Sequence, residues 1–322
     1  MTETAASIEN QISPAEEGMS CGAITIILNS SAGNNEKERT LQQIMSVLKE
    51  RAVTIVELKA PDDFSLIAEQ AVLEATQRGA LVAVAGGDGT VNLVAALCAK
   101  HQVPLGVIPL GTFNYFARAL AIPADPAAAA QVLIDGVIRP VAAGYVNQHL
   151  FLNNASFGMY TRIIRNREQD KSRFGRFRIV ALLSAIVTLM RGQRPFAIKL
   201  SANGIAEVRR TAMVFFGNNT LQLDNLALDV AQCTQADRLA VVVLKPLSRL
   251  AMARLLLRGA VKHMGDDDRL EMFCADQVTV ETKRRSIDVV IDGEVIRCAT
   301  PLDFRVVRNG LNVITPKQET PS

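Results

Sequence analysis

Leu81-Val82-Ala83-Val84-Ala85-Gly86-Gly87-Asp88-Gly89-Thr90-Val91-Asn92-Leu93-Val94 is the stretch on which the fold turns. The unbroken apolar run Leu81–Ala85 is how a strand covered on both faces reads, because neither face needs polar residues. Three glycines follow, and Val91–Lys100 then reads as a helix. A strand, a tight glycine turn and a helix start make an anion site: glycine lets the backbone come close, and the first helical N–H groups point outward. The same glycines would also serve an ordinary turn with no ligand. Asp88 is the informative residue. A carboxylate inside a phosphate cradle repels the phosphate unless it binds Mg²⁺ or organises donors around it.

Outward from this loop, residues 21–144 alternate apolar runs with helical periodicity, the pattern of a parallel sheet covered by helices. The expected strands are Ala23–Leu28, Val53–Leu58, Leu81–Ala85 and Leu105–Ile108. Leu41, Ile44, Met45 and Leu48 recur at helical spacing, and a second helix is expected over Phe64–Arg78 with Gly79 closing it. Beyond Gly144 the runs shorten to Thr211–Phe216, Leu239–Leu244, Gln277–Thr282 and Ile287–Ile291. That texture predicts a mostly antiparallel second domain over 145–300, with Phe304–Ile314 free to pair with either domain. Residues 1–20 and 317–322 read as tails.

The chain has 322 residues, which suits two domains, and its net charge of +3 is too mild for a dedicated nucleic-acid binder. Its five cysteines, Cys21, Cys98, Cys233, Cys274 and Cys298, are scattered without a C-x-x-C pair and read as reduced thiols in a cytoplasmic protein. The apolar stretch Ile179–Met190 falls short of the ~20 residues that cross a bilayer. Two basic amphipathic stretches, Arg162–Arg178 and Leu247–Met264, suit either a peripheral contact at the inner face of a membrane or the solvated face of a packed helix. No oligomeric state is legible.

Three well-known nucleotide loops are absent. There is no G-x-x-x-x-G-K-[ST], so the loop is not a Walker cradle. A dinucleotide fingerprint needs glycine where Asn92 stands and an acidic residue where Pro109 and Leu110 stand. Phe196-Ala197-Ile198-Lys199 imitates the lysine strand of protein kinases, but it lies far past the glycine loop and no D-F-G follows.

G-G-D-G-T at 86–90 resembles the loop shared by diacylglycerol and sphingosine kinases, by NAD kinases and, in related form, by phosphofructokinases. The flanking motifs favour the first group. Asn29-Ser30-Ser31-Ala32-Gly33 is similar to its N-P-x-[SA]-G, with serine in place of proline. Pro109-Leu110-Gly111-Thr112-Phe113-Asn114 is similar to P-x-G-T-x-N, and Asp292-Gly293-Glu294 to its late D-G-E. Asn153–Gly158 resembles the first strand of its second domain. The resemblance implies an α/β nucleotide-binding domain of NAD kinase/phosphofructokinase type, a β-sandwich lipid domain, and a strand at 301–316 returning to the first domain.

It also implies ATP and Mg²⁺ as cofactors and a lipid as substrate, with Asn29, Gly33, Gly86, Gly87, Asp88, Gly89, Thr90, Asn92, Gly111, Thr112 and Asn114 around ATP. Two departures stand out: Tyr115 replaces the usual aspartate, and Ala236-Asp237-Arg238-Leu239 retains only Asp237 and Leu239 of a metal-holding D-D-G-x-L. Phosphoryl transfer needs an in-line hydroxyl, charge neutralisation and a base. By resemblance Glu294 is the expected base with Asp292 and Asp88 as its acidic partners, although Asp-Gly between apolar runs is in its own right a hairpin-turn signal. The competing readings are an NAD kinase-like enzyme and a non-catalytic lipid- or nucleotide-binding protein.

Overall fold

The computed structural model describes residues 22–29, 34–59, 63–158, 161, 195–225, 230–246 and 270–317. The basic stretches 162–178 and 247–264, the tails at 1–20 and 318–322, and Gly33 lie outside them. The first half builds β1 (Ala23–Asn29), α1 (Asn34–Leu48), β2 (Ala52–Leu58), α2 (Phe64–Gln77), β3 (Leu81–Gly86), α3 (Asp88–His101) and β4 (Leu105–Pro109). Strands β2, β1, β3 and β4 lie side by side in parallel. Every residue of β3 is buried, as its unbroken apolar run requires. Asp63 caps α2 through its carboxylate, and Gly79 leaves the helix at a positive φ of 63°.

Two short helices, α4 (Tyr115–Ala119) and α5 (Pro126–Asp135), lead into β5 (Val137–Val146), β6 (His149–Phe151) and β7 (Asn154–Gly158). The second half adds β8 (Phe196–Ala202), β9 (Ile205–Thr211), β10 (Met213–Gly217), α6 (Thr220–Asn225), α7 (Ala231–Gln235) and β11 (Leu239–Leu244). It ends with β12 (Leu270–Ala275), β13 (Gln277–Glu281), β14 (Ser286–Ile291), β15 (Glu294–Ala299) and β16 (Leu302–Thr315). The strand expected at Thr211–Phe216 is two strands. They part at Ala212, where the buried Thr211 hydroxyl donates to the carbonyls of Met213 and Leu244.

A six-stranded antiparallel sheet, β12-β11-β10-β7-β14-β15, packs on the far part of the main sheet. Phe157, Phe216 and Phe304 stack in the sandwich core between them. The two domains are not divided at 144: β5 runs through that position to Val146, and β16 pairs with it along most of its length. The last strand therefore serves both halves, joining β13 near its start and β4 at Val313. One ten-stranded sheet runs through the molecule.

The reading of all five cysteines as reduced thiols is corrected. Cys233 on α7 and Cys274 on β12 are disulfide-bonded, 41 residues apart, because β12 pairs with β11 directly after α7. Spacing alone carries no sign of such a pairing. Cys98 and Cys298 are free and buried. No helix among the described residues is long and apolar enough to cross a membrane.

Candidate active site

The glycine loop sits where β1, β3 and β4 end side by side. Asn29, the last residue of β1, donates from its amide to the Thr90 hydroxyl at 2.7 Å, tying one strand end to the first turn of α3. The loop at 109–114 folds over the same point. A Cβ on Gly111 would lie 2.7 Å from the Gly87 Cα and 2.7 Å from Asn114 Oδ1, so the two loops touch backbone to backbone and only glycine fits. Asn114 adopts a left-handed conformation (φ 49°) and closes its own loop, its amide accepting from Gly111 N–H and donating to Gly111 C=O, each at 2.9 Å.

Asp88 explains why a carboxylate stands inside an anion cradle. Its two oxygens accept from the backbone N–H groups of Asn114 and Tyr115, both at 2.9 Å, so it locks the 111–115 loop against the start of α3. Burial raises its carboxyl above the usual range while those donors pull it down. Tyr115, standing where the resemblance expects an aspartate, turns its ring onto Phe113 (centroids 5.7 Å apart) and leaves no acid at that position.

The Asp-Gly pair does form a two-residue hairpin turn between β14 and β15. Asp292 and Gly293 both have positive φ, 45° and 95°, as the tightest hairpin loop needs. The turn points at the glycine loop. Asp292 accepts from the backbone N–H groups of Leu152 (2.7 Å), Asn153 (2.9 Å) and Asn154 (2.8 Å) and from the Asn92 side chain on α3. Burial pushes this carboxyl up to about 6, although four donors pull the other way. Glu294 is exposed, and its Oε1 lies over Gly89, 3.2 Å from where a Cβ would stand. The turn signal and the acidic site are the same structure.

Two cavities meet this assembly. One of about 440 Å³ is lined by Asn29, Gly111, Thr112, Phe113 and Asn114 together with Lys37 and Arg118. Its volume is in the range of ordinary small-molecule sites. Another, about 210 Å³, is bounded by Gly89, Asn92, Asp292 and Glu294. Thus Asn29, Gly86, Gly87, Asp88, Gly89, Thr90, Asn92, Gly111, Thr112, Asn114, Asp292 and Glu294 are all brought together. Asp237 and Leu239 are not among them: Asp237 is exposed at a φ of 50° between α7 and β11, and Leu239 is the buried first residue of β11. The lysine-strand imitation at Lys199 is a surface ion pair with Glu281.

Lys37 and Asn219 carry no local signal in the sequence. Lys37 reaches the larger cavity only because α1 crosses the end of β2, where it pairs with Glu57 at 2.6 Å. Asn219 bridges the two halves, its amide donating to the Tyr115 carbonyl and to Asn153 Oδ1.

Residues 23–146 match the diacylglycerol kinase catalytic domain family. A diacylglycerol kinase of Mycobacterium tuberculosis is 27% identical over 92% of this chain and 96% of its own length. A diacylglycerol kinase of Bacillus subtilis is 36% identical over 43% of this chain and 46% of its own length. The crystal structure of a diacylglycerol kinase from Bacillus anthracis superposes with a TM-score of 0.65 at 20% identity, over 91% of this chain and 97% of that one, a likeness of fold. The glycine loop, its partner loop and the acidic hairpin are assembled in one cleft, and the stretch that carries both loops, residues 23–146, is similar to the catalytic domain of diacylglycerol kinases.

Proposed function

We propose that the protein transfers the γ-phosphoryl group of ATP to a hydroxyl of a diacylglycerol-like lipid, with the phosphates at the start of α3 and the lipid hydroxyl beside Glu294. The observation that carries this is the Glu294 carboxylate over Gly89. It puts an exposed base next to the backbone N–H groups that suit phosphate, across the junction of the two halves. The larger cavity, with Lys37 and Arg118 in its wall, suits the rest of the nucleotide.

In the step itself, Glu294 accepts the proton of the lipid hydroxyl as that oxygen bonds to the γ-phosphorus. The bond from phosphorus to the bridging oxygen breaks, and ADP leaves. The first-turn N–H groups of α3 face the phosphate oxygens, and Thr90 is held in place by Asn29. Mg²⁺ carried with the nucleotide would be held mainly by phosphates and water with one or two carboxylates, for which Asp88 at the start of α3 and Glu294 over Gly89 are the candidates. Bound there, Mg²⁺ would neutralise the charge that builds on the transferring group.

Incubation with labelled ATP and a total lipid extract, with NAD⁺ as a parallel acceptor, tests this by mass spectrometry of the products. A phosphorylated diacylglycerol is the expected product. Label in NADP⁺ alone, or in neither, would overturn the proposal.

A further inference from the structure

At the end of the sandwich away from the acidic hairpin, the chain crosses from β13 in one sheet to β14 in the other through Thr282-Lys283-Arg284-Arg285. This crossing borders a cavity of about 490 Å³ whose floor is Phe157, Phe196 and Ile287. Lys283 and Arg284 line it, and Arg285 follows them in the chain. Lys283, Arg284 and Arg285 are exposed, and so is Arg210, which stands across the β8–β9 ladder from the lining residue Ala197. No side chain of these four makes a hydrogen bond or ion pair with a described residue. The neighbouring carboxylates are already taken: Glu281 pairs with Lys199, and Asp288 with Arg297.

Cations on a surface are ordinarily just solvated. Here the charge borders an apolar hollow, and the chemistry that complements both is an amphiphile with an anionic head. A free phosphate would gain nothing from Phe157, Phe196 and Ile287, and a nucleic acid's phosphates would leave that apolar lining unused. β14 also links the hollow to the acidic hairpin: five residues from Ile287 to Asp292 span about 17 Å. That is close to one leaflet's share of a hydrocarbon core about 30 Å thick. A lipid with its hydroxyl at Glu294 would still reach the bilayer with its chains.

We infer that this end of the sandwich, with Lys283, Arg284, Arg285 and Arg210 beside the cavity at Phe157, Phe196 and Ile287, is the face that docks on an anionic lipid bilayer. The inference rests on the lipid-kinase reading for its purpose, though not for its geometry. Headgroup phosphates meet the four cations, and the hollow takes an apolar group from the interface. Such attraction weakens with added salt.

The test is sedimentation of the full chain with vesicles of phosphatidylcholine alone and of phosphatidylcholine mixed three to one with phosphatidylglycerol. Wild type should sediment with the mixed vesicles, less so as salt rises. K283Q/R284Q/R285Q should weaken that binding on the order of 100-fold. A197E, an exposed substitution that sets a carboxylate opposite Arg210, should weaken it too. K49Q/R139Q/K317Q, which removes equal charge from the other half of the molecule, should not. Unchanged binding by the 283–285 variant and A197E, or retention on polyuridylic acid with no vesicle binding, would overturn the inference. Phosphorylation of a soluble short-chain diacylglycerol is the separating measurement. If wild type and the 283–285 variant both perform it, a failed vesicle experiment leaves the kinase reading standing; if wild type does not, the kinase reading fails while vesicle binding still judges the surface.

Discussion

Asp292 and Glu294, separated by one glycine, meet opposite surroundings. Glu294 is exposed over Gly89, whereas both oxygens of Asp292 are engaged by donors from the start of β7 and from Asn92. A carboxylate so engaged positions its neighbours, and in the proposed step it is Glu294 that takes the proton. Glu294→Gln keeps the shape and removes the basicity, so kcat should fall about 10²–10⁴-fold with folding and ATP affinity nearly unchanged; near wild-type turnover on a diacylglycerol would show the glutamate to be a turn residue only. Asp292→Asn should act on stability, since an amide N–H₂ would face backbone N–H groups and leave a buried donor unpaired, at a cost of about 1–3 kcal/mol. Its pH dependence has a definite sign. The folded carboxyl titrates near 6 and the unfolded one near the ordinary 3.8, so stability held by the protonated form below the lower value is lost as pH rises through the upper one. The advantage of wild type over Asp292→Asn in urea unfolding should therefore shrink between pH 4 and pH 6.5, and a constant or growing difference would refute the assignment.

At the scale of elements, the site is made by two loops that touch through glycine. Gly111→Ala forces its Cβ against the Gly87 Cα and the Asn114 side chain, and such overpacking costs about 1–3 kcal/mol. Calorimetry should show weaker ATP binding as the loops separate, and unchanged affinity would mean that their contact does not shape the site. The first-half elements were legible because each follows from local pattern: β3 as an apolar run, α2 between Phe64 and Gly79, the loop from its three glycines. The hairpin at 292–293 was legible too, as a turn from its Asp-Gly and as a site only through resemblance. Lys37 and Asn219 were not, because each enters the cleft through packing between elements far apart in sequence. The Cys233–Cys274 bond failed for the same reason, since nothing near Cys233 specifies that β12 lies beside β11.

For the molecule as a whole, the consequential pairing is that of β16 with β5 and β4, which joins residues more than 150 apart and has no local signature. Periodicity could mark 304–314 as a strand but left its neighbours open. The register shifts between Val307 and Leu311, and beyond this irregularity Leu311, Val313 and Ile314 are buried in the core of the first half. Before it, Leu302 and Phe304 are buried in the sandwich. The catalytic domain as matched, residues 23–146, therefore lacks a strand of its own sheet. Burial of three aliphatic side chains is worth about 1.5–3 kcal/mol each, together comparable to the 5–15 kcal/mol that holds an ordinary domain folded. Without β16, one edge of β4 and the long edge of β5 would also present unpaired backbone groups. A fragment of residues 22–146 should consequently fail to show cooperative thermal unfolding by circular dichroism, while the full chain unfolds in a single transition. Fusing residues 302–315 to the fragment through a flexible linker should restore a sigmoidal melt, and the double substitution L311A/V313A in the fusion should abolish it again. A fragment that melts cooperatively on its own would show that the first half is an independent domain and that the shared strand joins two finished units.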